Sequence, residues 1–284
     1  MLKKINLNKL TPPQIIVIYY LSAVTVSTFL LRIPIALKPG VELSFIDAFF
    51  TAASAVSVTG LTVINISETF SVTGNFILMF VLQFGGIGIM TLGTFMWLLF
   101  KKKIGFKERR LIMTDQNQTS LAGLVSLLKQ VLVLIVIIEL IGAVVLGIYL
   151  MHYFPNPSEA FLHGLFMSVS ATTNGGFDIT GQSLQPYAGD YFIQFINILL
   201  IILGAIGFPV LIEVKKFLFH KSSEAKFRFS LFTKLTSVTF FALIAFGTIM
   251  LLVLEFKHFF AGKSWHESFF YALFQSSSTR SGGL

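Results

Sequence analysis

Three short segments hold the residues best suited to chemistry: Ser-Val-Thr-Gly-Leu at 57–61, Thr-Asn-Gly-Gly-Phe at 173–177 and Arg-Ser-Gly-Gly-Leu at 280–284. A glycine, having no Cβ, can take the left-handed backbone that redirects a carbonyl oxygen, and Gly60, Gly176 and Gly283 are the candidates for it. Several carbonyls aimed at one point can replace the water shell of a dehydrated cation such as potassium. The segments therefore predict main-chain coordination by Val58, Thr59 and Gly60, by Asn174, Gly175 and Gly176, and by Ser281, Gly282 and Gly283. Potassium, with sodium as a second ion, would be held by carbonyl oxygens, and no resident cofactor is expected. Hydroxyls around the segments, at Ser54, Ser57, Thr59, Ser170, Thr172, Thr173, Ser278 and Thr279, are placed to hold such a backbone in shape.

One glycine before a helix is ordinarily a plain turn; the repetition changes that reading. Laying residues 45–61 over 161–177 without a gap pairs Phe45 with Phe161, Phe50 with Phe166, Ser54 with Ser170, Ala55 with Ala171 and Gly60 with Gly176. Carrying Gly176 onto Gly283 also pairs Ser170 with Ser277 and Thr172 with Thr279. The stretches that lead into the three segments, 44–56, 158–171 and 265–278, are moderately apolar and too short to cross a bilayer, which reads as re-entrant helix. They carry helix-start signals in Asn156-Pro157 with Glu159, in Ser264 with Glu267 and in Ser44 with Asp47. Downstream, Phe84-Gly85-Gly86-Ile87-Gly88 parallels Leu203-Gly204-Ala205-Ile206-Gly207, and these glycines are expected to let helices pack closely.

The elements that must position these loops are apolar. Of the 284 residues 55% are hydrophobic and only 12% charged, half the usual charge of a soluble domain, which argues against a water-soluble globule. Apolar runs at 14–36, 76–100, 131–151, 191–212 and 231–256 are each long enough to span a bilayer. Cysteine is absent, which removes disulfides, thiolate zinc sites and a thiol nucleophile. The net charge of +8 does not point to nucleic acid, because 16 of the 21 Lys and Arg fall before Pro13, between Lys101 and Lys129 and between Lys215 and Lys234. These are alternate connections, and under the positive-inside rule they face the cytoplasm. The connections with Glu42, Asp47, Glu68, Glu159, Asp178, Asp190 and Glu267 then lie outside, and the amino terminus inside. Met1 to Pro13 runs into a full-length span without a small-residue cleavage site and does not read as a removable signal peptide.

Other polar residues admit two readings. Asp178, two residues past Gly176, is either a carboxylate at an outer mouth that concentrates cations or an ordinary solvated loop charge. Arg280 would repel a cation if it faced one, so it is expected to point behind its segment and pair with a carboxylate. Glu139, inside the apolar run 131–151, marks either a subunit contact, an ion path or helix packing, with packing preferred. Gly262-Lys263-Ser264 imitates the end of a phosphate-binding loop, but Lys257 stands where that motif needs glycine. His152, His163, His220, His258 and His266 lack metal-ligand spacing.

The span, pore helix, span unit with Ser-Val-Thr-Gly-Leu, Ala-Thr-Thr-Asn-Gly-Gly-Phe-Asp and Ser-Thr-Arg-Ser-Gly-Gly-Leu resembles the Trk/Ktr/HKT potassium transporters, and most closely their KtrB branch, over essentially the whole chain. The resemblance implies an all-α integral membrane protein of a bacterial plasma membrane, with repeated span, pore-helix, filter-loop, span units around a central pore, pseudo-fourfold when complete. It implies potassium uptake, sodium-stimulated or symported, by a homodimer under a cytosolic nucleotide-binding ring of the KtrA type, docked in part on the basic connections 101–110 and 215–228. The expected divisions are a cytoplasmic segment 1–13, a first repeat 14–118, a second repeat 119–229 and a third repeat 230–284 that stops after its filter loop, with the fourth absent. The competing classes are an alternating-access transporter of another solute, which would favour breaks at the membrane midplane, and a membrane enzyme, which would need a nucleophile or metal cluster within the spans.

Overall fold

The computed structural model describes residues 11–88, 109, 113, 123–219 and 227–282. The described residues are helical, with one isolated antiparallel bridge between Leu37 and Phe70. Two compact units are present, Met1–Val58 with Thr62–Leu134 and Thr59–Leu61 with Ile135–Leu284. The amino-terminal segment before Thr11, the basic connection from Lys101 through Arg110 (Arg109 aside), Lys221 and Lys226, and Gly283 lie outside the described residues.

In the first unit α1 (Pro12–Leu31) is long and apolar enough to cross a membrane. The re-entrant helix expected at 44–56 is α2 (Phe45–Val56), and its cap is the predicted one: Ser44 Oγ accepts the Asp47 N–H at 3.1 Å. A short helix, Ile66–Thr69, precedes α3 (Val72–Gly86). Gly74 in α3 is required by close approach, since a Cβ there would stand 2.0 Å from the Ala36 carbonyl oxygen. The Ser71 cap clamps the same place by donating to the Ile35 carbonyl at 2.7 Å.

In the second unit α4 (Leu124–Leu150), whose first residues belong to the first unit, is a full-length span, and α5 (Pro157–Thr173) is the second re-entrant helix. Asn156 caps α5 with proline at its first position, as read from the sequence. Small residues fix the packing of α4 on α5: Gly147 and Gly164 meet with no room for a Cβ on Gly164, and a Cβ on Gly142 would fall 2.3 Å from Ser168 Oγ. Ser168 donates to the Glu139 carbonyl at 2.8 Å, an interhelical bond that replaces water in an apolar environment. Glu139 is 6% exposed, consistent with helix packing.

The expected single span at 191–212 is corrected. It is two helices, α6 (Tyr191–Ala205) and α7 (Phe208–Leu218), bent by 106°. The hinge is Gly207, with φ 100° and ψ 135°, followed by Pro209, which cannot donate a backbone bond back into α6. After the break come α8 (Leu231–Leu254), a full-length span, and α9 (Trp265–Ser277), capped by Ser264 through the Glu267 N–H at 3.2 Å. Ser276 of α9 donates to the Ile244 carbonyl of α8 at 2.8 Å, beside Gly247, as Ser168 does beside Gly142.

Candidate functional site

Each re-entrant helix delivers its carboxyl end to one of the three segments. The first leaves α2 through Ser57, whose hydroxyl donates to the Ala53 carbonyl at 2.6 Å. Val58 is left-handed at φ 55° and Gly60 at φ 76°. Val58 takes this costly conformation where its side chain lies against α3, 2.4 Å from where a Gly85 Cβ would be.

The second segment is built most tightly. α5 closes with Asn174 left-handed at φ 56°, its N–H bonded to the Ala171 carbonyl at 3.2 Å, and Gly175 bonded back to the Ser170 carbonyl at 2.8 Å. This is the Schellman closure, which accepts asparagine in place of glycine. Gly176 follows at φ 70°. Ser170, fully buried, then grips the loop: its hydroxyl donates to the Phe177 carbonyl at 2.6 Å and accepts the Phe177 N–H at 3.0 Å. Thr173 donates to the Val169 carbonyl at 2.7 Å. Gly60 and Gly176 thus have the backbone expected of them. The left-handed Val58 and Asn174 were missed, Asn174 although asparagine is among the residues that enter that region readily.

The structure brings Gly60 onto the second segment. A Cβ added to Gly60 would stand 3.1 Å from the Gly175 carbonyl oxygen and 3.1 Å from Gly176 Cα. The third segment continues α9 as a π-helical turn, Ser278–Gly282, which contains Arg280, Ser281 and Gly282. Gly282 abuts Ile201 of α6, where a Cβ would meet the side chain at 2.7 Å.

Behind the segments the close-packing reading of the glycines holds. A Cβ on Gly85 would lie 2.7 Å from the Val56 carbonyl oxygen, and one on Gly204 would lie 2.0 Å from that of Thr172. Both helices then end in the same way, with Ile87 and Ile206 right-handed and Gly88 and Gly207 at φ 92° and 100°. Glycine therefore sets how near each helix comes to the carbonyl end of a re-entrant helix.

Among the described residues no carboxylate pairs with Arg280, contrary to the expectation. Its guanidinium lies 4.6 Å over the Phe240 ring, with a long bond of 3.5 Å to the Phe240 carbonyl, so an aromatic face on α8 takes the place of a carboxylate. Asp178 has a use that neither reading foresaw. Its Oδ2 accepts the N–H groups of Thr180, Gly181 and Ser183 at 2.8 to 3.0 Å and the Thr180 hydroxyl at 2.5 Å, organising the turn after Phe177. Further out, Asp190 caps α6 through Phe192 and Ile193 and accepts the Tyr153 hydroxyl at 2.7 Å.

The family described as TrkH, cation transport protein, matches residues 4–284. The Ktr system potassium uptake protein D of Bacillus subtilis is 60% identical over 275 residues, covering 97% of this chain and 61% of that protein. The Ktr system potassium uptake protein B of the same organism is 36% identical over 258 residues, covering 90% of this chain and 56% of that protein. The chain thus spans only 56 to 61% of the length of these relatives. The crystal structure of the potassium transporter TrkH from Vibrio parahaemolyticus has the same fold, with a TM-score of 0.59 at 18% identity, covering 97% of this chain and 52% of that one. The glycine segments, the re-entrant helices that feed them and the match along nearly all its residues together assign the chain to the TrkH family of membrane cation transport proteins.

Proposed function

We propose that the chain is ion-translocating material of a potassium uptake system, in which dehydrated potassium passes main-chain carbonyls of the three glycine segments. The observation that carries the reading is the approach of Gly60 to Gly175 and Gly176, which puts left-handed backbone from two repeats side by side. Non-helical backbone is tolerated at membrane depth only where it is buried in protein or lines a watery cavity. The ion-facing set is Val58, Thr59, Gly60, Asn174, Gly175, Gly176, Ser281, Gly282 and Gly283, with Ser57, Thr173, Asp178 and Arg280 as support or mouth. Each re-entrant helix adds the negative end of its dipole, which favours a cation. The repeats run 14–118, 119–229 and 230–284 after a cytoplasmic segment 1–13, the acidic connections lie outside, and the working protein is a homodimer.

Stimulation or co-transport of sodium, and gating by a cytosolic nucleotide-binding ring, extend the reading. The names of the two Bacillus subtilis relatives, both of a Ktr system, support further components. The test is rubidium uptake by bacteria lacking their own potassium importers and expressing the full-length subunit with or without a ring protein. Saturable uptake that potassium suppresses more strongly than sodium is expected; uptake no greater than in the parent strain defeats the proposal.

A further inference from the structure

The break at Gly207 creates a helix with a surface of its own. α6 has 15 residues and rises about 22 Å, short of the roughly 30 Å core by about the depth at which an interfacial helix lies. α7 leaves it at 106° and so runs nearly perpendicular to α6. Glu213, midway along α7, accepts the N–H of Ser230 at 3.0 Å, and Ser230 is the cap of the long span α8. α7 is therefore tied at the level where α8 begins, beside the basic connection.

Its sequence is amphipathic at the helical period. Val210, Val214, Phe217 and Leu218 form an i, i+4, i+7, i+8 stripe, of which Val210 is buried, while Val214, Phe217 and Leu218 are exposed. Phe219 follows at 78% exposure. Phe227 and Phe229 pack on Phe217 with ring centroids 5.6 and 5.2 Å away, enlarging the apolar end. Lys215 and Lys216, about 100° apart on the helix, flank the face opposite the stripe, and Arg228 follows on the next described strip of chain. An apolar end with lysines at its flanks fits the boundary between acyl chains and anionic headgroups: the rings enter the former and the ammonium groups meet phosphates in the latter.

We propose that α7 is an interfacial helix that binds anionic phospholipid on the side of the basic connections, with Phe217, Leu218 and Phe219 as apolar anchors and Lys215 and Lys216 as headgroup contacts. The inference uses the membrane placement of the spans and is independent of the glycine segments.

Residues 1–284 contain no cysteine, so Phe219→Cys in a full-length subunit whose remaining residues have been cleared of cysteine gives a single site for an environment-sensitive fluorophore. The labelled protein is reconstituted in phosphatidylcholine bilayers containing either brominated phosphatidylglycerol or brominated phosphatidylcholine, each titrated over the same range of mole fraction. Quenching by the anionic lipid at about tenfold lower mole fraction than by the zwitterionic one is expected from two basic residues at the surface. The pair Lys215→Gln with Lys216→Gln should erase the preference, while Lys215→Arg with Lys216→Arg should keep it, separating charge from folding. Equal quenching by both lipids, a preference that survives the glutamine pair, or a fluorophore that neither lipid quenches and that only a soluble protein partner shields would each overturn the proposal.

Discussion

The Ser170 hydroxyl lies between the N–H and the carbonyl of Phe177, donating at 2.6 Å and accepting at 3.0 Å. A single side chain of α5 therefore holds both main-chain groups of Phe177, the residue that ends the run Thr173, Asn174, Gly175 and Gly176. Ser170→Ala would leave two buried main-chain groups of Phe177 without partners, at about 1 to 3 kcal/mol each. Ser170→Ala protein is expected to melt at lower temperature in detergent and to discriminate less between rubidium and sodium. A melting temperature and a discrimination equal to wild type would remove Ser170 from its place as the clamp of this loop.

Gly204 sets the distance between α6 and the end of α5. Gly204→Ala puts a Cβ 2.0 Å from the Thr172 carbonyl oxygen, and backbone on both sides must move. Overpacking of this kind costs about 1 to 3 kcal/mol or more. Gly189→Ala, with nothing within 4 Å of its Cβ, is the comparison and should be neutral. Equal folded yields for the two variants by size-exclusion chromatography would show that the contact at Gly204 has no energetic weight.

Asp190 and Tyr153 make the connections before α5 and α6 pH-sensitive in a defined direction. Burial pushes the Asp190 carboxyl up, but the bonds from Tyr153, Ile193 and Phe192 outweigh it and leave the group below its ordinary value. Its contribution to stability is therefore present above the unfolded carboxylate value near 4 and is lost as pH falls through the lower folded value. Tyr153 is pushed up to about 12, first by its bond to Asp190 and then by burial, so its share is present below about 10 and is lost as pH rises through 12. Asp190→Asn keeps a capping side chain and should flatten the fall in melting temperature below pH 4. An acid limb as steep in the variant as in wild type would assign that limb to other carboxyls.

Much of this arrangement was legible because it is local. Ser44, Asn156 and Ser264 announce their helices by spacing alone, and each cap is where the sequence put it. The repeat also located the close-packing glycines, since Gly85 and Gly204 match in sequence and both press on the end of a re-entrant helix. The break between α6 and α7 was hidden because apolar residues continue through Ile206, Phe208 and Val210, and an apolar count cannot register direction. Gly207-Phe208-Pro209 was the available signal. The cradle of Arg280 on Phe240, 40 residues away, and the return of Phe177 to Ser170 depend on tertiary approach that no local pattern encodes.

The proposed orientation of the chain rests on the placement of its basic connections. With single cysteines at Glu68 and Lys102 in intact cells, an impermeant reagent is expected to label position 68 and spare 102 until the membrane is opened. Labelling of 102 with protection of 68 would invert the topology.

The central claim is that Gly60 and Gly176 belong to an ion-coordinating backbone. Serine at either position adds a Cβ in a left-handed conformation, φ 76° or 70°, and at Gly60 that atom also meets the second segment at 3.1 Å. The strain, on the order of 1 kcal/mol, tilts the carbonyls away from a bound ion before it threatens the fold. Since about 1.4 kcal/mol lost by potassium alone is a tenfold loss of preference, the direct measurement is competition between rubidium and sodium for uptake by full-length Gly60→Ser and Gly176→Ser subunits, normalised to membrane protein, with Gly189→Ser beside them. Both filter variants should lose about tenfold in potassium-like preference at normal expression while Gly189→Ser keeps it; wild-type preference in both, at normal expression, would make these glycines turns and contradict the account.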